Sequence, residues 1–300
     1  MKIVKKEDKK AFIIYLLVTF VLAYTLQLLG IFSGNMMIYQ ILVSVCMFAP
    51  LFGTWAACGG LKKEKSGIYW GIHFKKNKKI LLLVWFLPAM LTFLGAVLYF
   101  VIFPYKYDSS CGYLLEGYAN LADAEGKISG LEPIWMALIM IVQSVTYAPF
   151  VNMFFALGEE AGWRGFMTPM LTKWLGDKKA LLVSGIIWAM FHAPLIVLCG
   201  YEYGSGYWGE PVLGLLMMCV FTTAFGILCS YFYQKTESIW IPSVLHGALN
   251  AAAGCAMIFL KEMPKHYLLG PTPAGLLSGV FLFALALYLL FKKEAKKMEE

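Results

Sequence analysis

The chain has 300 residues, of which 60% are hydrophobic and only 14% charged, whereas roughly a quarter of the residues in soluble domains are charged. Its mean hydropathy is +0.69, which excludes an ordinary soluble domain and indicates a membrane domain whose core is helix against helix. The net charge of +7 is no sign of nucleic acid, because the lysines cluster between apolar stretches, where they act as topology signals.

The first apolar run, "AFIIYLLVTFVLAYTLQLLGIF", is too long for a signal-peptide core and lacks a small-residue cleavage site, so it reads as a membrane helix. A span needs about 20 apolar residues. On that measure about eight transmembrane helices are expected, at 11–32, 36–58, 80–103, 134–158, 180–200, 211–233, 239–260 and 273–291. The expected fold is therefore an all-α membrane protein, a polytopic bundle in which residues 1–300 form a single integral membrane domain. Pro149 and Pro194 are candidate bends within it.

Lysine and arginine are unevenly divided between the two sides. Twenty-one fall on the side that holds both chain ends, among them Lys2, Lys5, Lys173, Lys178 and Lys235; only Lys106, Lys127, Lys261 and Lys265 fall on the other. The asymmetry places both termini in the cytoplasm, and the lysine-rich style suggests a bacterial cell membrane. The outer loop 104–133 is acidic, with Asp108, Glu116, Asp123, Glu125 and Glu132, and is expected to hold a short surface helix. The seven cysteines have no Cys-x-x-Cys spacing and read as small buried hydrophobes. No internal repeat of the transporter kind is visible.

Ionisable groups inside membrane helices are functional candidates by default. In "LGEEAGWRGF" (157–166), Glu160 and Arg164 are four apart and can pair on one helix face. Glu159 is turned about 100° away and is left free to act as a base. In "WAMFHAPL", Trp188 lies one turn before His192 on the same face; in "IPSVLHGALNAAAG", His246 and Asn250 share a face among small residues that permit close helix approach. Taken singly, these stretches read plainly as a solvated charge cluster, a histidine bonded to a helix carbonyl and a polar glue point. Taken together, they supply a carboxylate base, an ion-pair brace, two imidazoles and an amide, the parts that hydrolysis of an amide bond needs. Ser184 and Ser243 do not stand out as nucleophiles. His73 and His266 lie in loops and read as ordinary. Glu159, His192 and His246 could also converge on a divalent metal such as zinc. The motif His-Glu-x-x-His is absent, so metal-bound and metal-free water both stay open.

The ordered triple "EEAGWR", "WAMFH" and "HGALN" resembles the CPBP family of intramembrane proteases (CAAX-processing and bacteriocin-processing, also called Abi), which includes the type II CAAX prenyl endopeptidases. The resemblance implies a catalytic core over 134–260 and a cavity reached from the cytoplasmic side. It implies that Glu159 activates water with help from His192, that Glu160 and Arg164 brace the site, and that His246 and Asn250 form the oxyanion hole or hold water. Trp188 stands where the family usually has Phe, a departure that bears on local packing or substrate fit. The implied partners are a peptide or membrane-protein substrate and the lipid bilayer, with no nucleic acid. A non-catalytic immunity or binding protein and a proton-coupled transporter are the alternatives.

One geometric conflict accompanies this reading. If helix 134–158 ended at the surface, Glu159 would lie there while His192 sat about 18 Å deeper and His246 about 10 Å deeper, at 1.5 Å per residue. Helix 134–158 is therefore expected to begin outside the membrane and sink Glu159 inward, with helix 180–200 beginning in the cytosol. The Glu159 carboxylate and the His192 ring are then expected within one water's reach.

Overall fold

The computed structural model describes residues 6–118, 131–262 and 264–299. Lys2, Lys5, Asp123, Glu125 and Lys127 lie outside these residues. The apolar runs are helical because, in lipid, every backbone polar group must be satisfied within its own segment. They form α1 (Lys6–Phe32), α2 (Met36–Cys46), α3 (Ala49–Cys58) and α4 (Lys78–Ile102). The expected short helix of the outer loop is α5 (Gly112–Gly117). The chain continues with α6 (Pro133–Val145), α7 (Ala148–Glu160), a π-helical stretch (Ala161–Met167), α8 (Thr168–Leu175), α9 (Asp177–Phe191) and α10 (Ala193–Cys199). It ends with α11 (Val212–Thr236), α12 (Trp240–Ala253) and α13 (Val280–Glu299).

Among the described residues, four helical segments are long and apolar enough to cross a membrane, and counting each of two bent pairs as one span brings the number to six. The other two expected spans are the shorter α12 and α13. Helix α12 is buried along almost its whole length, so it needs no lipid-matched apolar surface. The expected span at 273–291 begins only at Val280, because Pro271, Pro273, Gly275 and Gly279 hold the preceding residues in turns.

Three spans are broken at the same signature. Ala49-Pro50, Ala148-Pro149 and Ala193-Pro194 each open the second half of a broken span. Proline has no N–H to bond the carbonyl four residues back and its ring clashes with that carbonyl, so the first halves end near it, at Cys46, Val145 and Phe191. The breaks bend the chain by 51° between α6 and α7 and by 45° between α9 and α10. His192 is the joint of the second bend, with φ −89° and ψ 0°.

Long-range contacts define two ends of the bundle. At one, Lys173 pairs with Asp8 at the start of α1, and the Lys178 ammonium lies over the Phe291 ring near the end of α13. The Ile239 N–H bonds the Tyr69 carbonyl at the same end. At the other, single bridges join Tyr107 to Leu260 and Gly204 to His266. Helix α12 runs through the middle, packed on α7 and α4, while α9 packs on α11 and α1 on α2 and α3.

Candidate active site

The site is built where α7 runs into the π-helical stretch. The expected end of this span at residue 158 is not observed, for the helix continues through the π turn and α8 to Leu175. Charge at 159–164 resembles a helix end in a hydropathy profile, but here the charges are matched inside the protein. Glu159 therefore stands about 20 Å along the helix from Lys173 at the lysine-rich end, and His192 about 20 Å from Lys178 by the same rise. The two residues lie at similar depth, and the expected conflict disappears. A close approach to α3 makes this burial possible, since a Cβ on Gly162 would lie 2.2 Å from Pro50 Cβ.

Glu160 is fully buried, and its Oε1 accepts hydrogen bonds from Arg164 at 3.0 Å and from His246 Nδ1 at 2.8 Å. The i,i+4 ion pair read from the sequence is present, and it extends to a second helix. A carboxylate oxygen only accepts, so Nδ1 of His246 carries the proton and its Nε2 is left as an acceptor. Glu160 thus orients an imidazole besides bracing an arginine.

Glu159 is 3% exposed. Its Oε2 accepts from the indole N–H groups of Trp163 at 2.9 Å and Trp188 at 2.6 Å. Its Oε1 takes no hydrogen bond from any described residue. Trp188 links the whole group. Its ring lies 4.1 Å below the Arg164 guanidinium carbon, a cation–π contact, and 5.4 Å from the His246 ring. Its carbonyl pairs with His192 Nδ1 at 3.0 Å, which leaves His192 Nε2 as the free ring nitrogen. Glu159 and His192 are thus joined through the two ends of one tryptophan; among the described residues no direct hydrogen bond connects them.

His192, His246 and Asn250 face a cavity of about 60 Å³, together with Trp188, Tyr201 and Glu202. That is room for about two waters at their liquid volume, not for a peptide. Asn250 is the exposed member of the set. Tyr201, Glu202, Pro273 and Ala274 close the cavity from the end opposite the lysines. A separate cavity of about 340 Å³, lined by Tyr69, Tyr233 and Glu237, opens near the lysine-rich end and reaches Arg164.

All six residues singled out in the sequence are thus drawn to one region. Glu160, Arg164 and His246 touch directly, Glu159 joins them through Trp188, and His192 and Asn250 share the cavity with His246. Ser184 pairs with Thr168 at 2.9 Å and Ser243 with the Ile239 carbonyl at 2.7 Å, each in a structural bond. Sequence reasoning missed the two indole donors. Trp163 carried a signal, being four residues from Glu159 on the same face. Trp188 was read as a packing variant of Phe, yet it supplies a donor that phenylalanine lacks. Among the described residues no three His, Cys, Asp or Glu side chains are grouped to hold a metal. No step below uses a metal.

Residues 133–252 match the family model described as type II CAAX prenyl endopeptidase, Rce1-like. That segment resembles the Rce1-like family. It runs from the first residue of α6 to the last turn of α12 and contains every charged residue of the site. The Rce1-like proteins are proteases, hydrolases of peptide bonds, and the apolar helices make this chain an integral membrane protein. No curated protein matches the chain.

Proposed function

We propose that the protein is an intramembrane endopeptidase that hydrolyses a peptide bond of a membrane-associated peptide or protein with water activated by Glu159. The observation that carries this reading is the set of bonds around Trp188. It gathers a carboxylate with one open oxygen, an imidazole and a braced second carboxylate around a tryptophan that lines a water-sized cavity inside the bundle.

The residues divide the work by their surroundings. Glu159 has Oε2 fixed by two indole N–H groups and Oε1 open to take a proton from water. His192, its Nδ1 tied to its own helix, offers Nε2 to the same water. Glu160 holds Arg164 and His246 in place and, with both bonds on one oxygen, is a poor base. Asn250, with an amide at the cavity, donates to the carbonyl oxygen as it gains charge; one such donor contributes about 10²–10³ in rate. Water adds to the carbonyl carbon, the C–N bond breaks, and a carboxylate and an amine leave. The lysine-rich end faces the cytoplasm of a bacterial cell in this reading, which places both termini there.

The test uses the full chain in liposomes with internally quenched peptides, with and without a prenylated cysteine. Wild-type protein cleaves and Glu159→Gln does not, while both unfold at the same temperature. Cleavage by Glu159→Gln at the wild-type rate rejects the role of Glu159. A cellular immunity phenotype that survives Glu159→Gln would favour a binding protein, and solute uptake a transporter.

A further inference from the structure

Tyr201 and Glu202 wall the cavity beside His192, His246 and Asn250, and the reading above leaves them unused. They sit on the loop between α10 and α11, where Gly200, Glu202 and Gly204 have φ of +63°, +63° and +70°. Two of these are glycines, for which the left-handed region is open. Glu202 is not, and a side chain with a Cβ is disfavoured there. The loop is pinned into this shape by Gly204 N–H on the Gly200 carbonyl, and by Ser205 and Tyr203 bonding the strip at Lys265–Tyr267. A strained residue over-determined in this way and aimed at a site marks function.

What Glu202 meets there differs from what Glu159 meets. Its neighbour Tyr201 has its ring stacked on His192, 5.9 Å between centroids and 3° from parallel. The neighbouring walls are apolar, Met218 and Phe221. Burial pushes the Glu202 carboxyl above the usual carboxylate range. The other titratable groups turned toward it are Tyr203 on its own loop, Tyr39 on α2, His192 at the α9–α10 break and His246 on α12. Two carboxyls set in contrasting surroundings are the arrangement by which one site holds a base and an acid together.

We propose that Glu202 is the general acid of the hydrolysis, delivering a proton to the amine as it leaves. The inference rests on the endopeptidase reading above. Water gives its oxygen to the carbonyl carbon and one proton to Glu159. As the C–N bond breaks, its electron pair stays on nitrogen, which takes the proton of Glu202 and departs as the amine. Glu159 is then protonated and Glu202 ionised, and transfer of one proton through cavity water resets both.

An amine needs this proton far more than an alcohol does, which gives the test. The full chain in liposomes is assayed on the quenched peptide it cleaves and on the ester analogue with oxygen in place of the scissile N–H. Glu202→Gln is expected to lose about 10²–10⁴-fold on the amide, the span of general acid catalysis, to lose the alkaline limb of the pH–rate profile, and to keep ester cleavage near the wild-type rate. Glu202→Gly, which relieves the positive φ, is expected to show the same split while folding at least as well. Unchanged amide hydrolysis in either variant overturns the proposal, and so does an equal loss on both substrates, the mark of a structural role. The two readings fail differently. A wild type that cleaves neither substrate removes the endopeptidase itself; an active wild type with indifferent Glu202 variants removes only the acid.

Discussion

The imidazole of His246 and the guanidinium of Arg164 share one oxygen, Oε1 of Glu160, at 2.8 and 3.0 Å. A single buried carboxylate thereby ties α12 to α7 and sets the face that His246 turns to the cavity. Removing one partner of a buried charged cluster strands the other and costs about 3–5 kcal/mol. Glu160→Gln is expected to lower the unfolding temperature in detergent sharply and to abolish cleavage. This differs from Glu159→Gln, which loses cleavage alone. Equal thermal stability of the two variants would contradict the division of roles.

Trp188→Phe separates resemblance from geometry. By family resemblance the exchange restores the usual residue and is harmless. By geometry it deletes the 2.6 Å donor to Glu159 and weakens the cation–π seat of Arg164. A hydrogen bond to a charged group contributes about 1.5–3 kcal/mol, so a loss of roughly that size is expected in stability. A fall of about tenfold in kcat is expected as well, the equivalent of about 1.4 kcal/mol. Denaturation and turnover on the same preparation decide it.

The contact between α12 and α7 leaves no room for a methyl group. A Cβ on Gly247 would lie 2.4 Å from the backbone nitrogen of Met153, whereas one on Gly254 meets nothing within 4 Å. Gly247→Ala is expected to cost about 1–3 kcal/mol by overpacking and, by prising the helices apart, to lengthen the Glu160–His246 bond and suppress cleavage. Gly254→Ala serves as the silent control.

Outside the spans, Asp108 accepts from Ser110 N–H at 2.8 Å, Ser110 Oγ at 2.7 Å and Gly112 N–H at 3.0 Å. These bonds hold its carboxyl below the usual carboxylate range. Because the folded value is the lower one, the contribution to stability is present above the ordinary value and is lost as pH falls through the lowered one. Amide exchange at Ser110 and Gly112, corrected for intrinsic rates, is expected to accelerate below roughly pH 4. In Asp108→Asn the corrected rates should be flat with pH.

The membrane spans were readable because length and hydropathy report directly on bilayer thickness. The Glu160–Arg164 pair was readable because helix period alone aligns residues four apart. The course of the chain beyond residue 158 was not, since hydropathy cannot tell a charge in water from one neutralised by a buried partner. The indole of Trp188 reaches Glu159 from 29 residues away, a tertiary fact with no local pattern behind it. Glu202 had a faint signal in the glycines around it, but the sign of φ that aims it at the cavity is set by the neighbouring loop at 264–267.

The seven residues of the π-helical stretch, all buried, have a consequence for how this segment can vary. A π turn accommodates an additional residue within a helix. Deleting one, Gly165 for instance, would let the stretch relax to ordinary winding while the helix beyond keeps its phase. Thr168 would still meet Ser184, and Lys173 Asp8. This segment can thus lose a position without turning the helix that follows it.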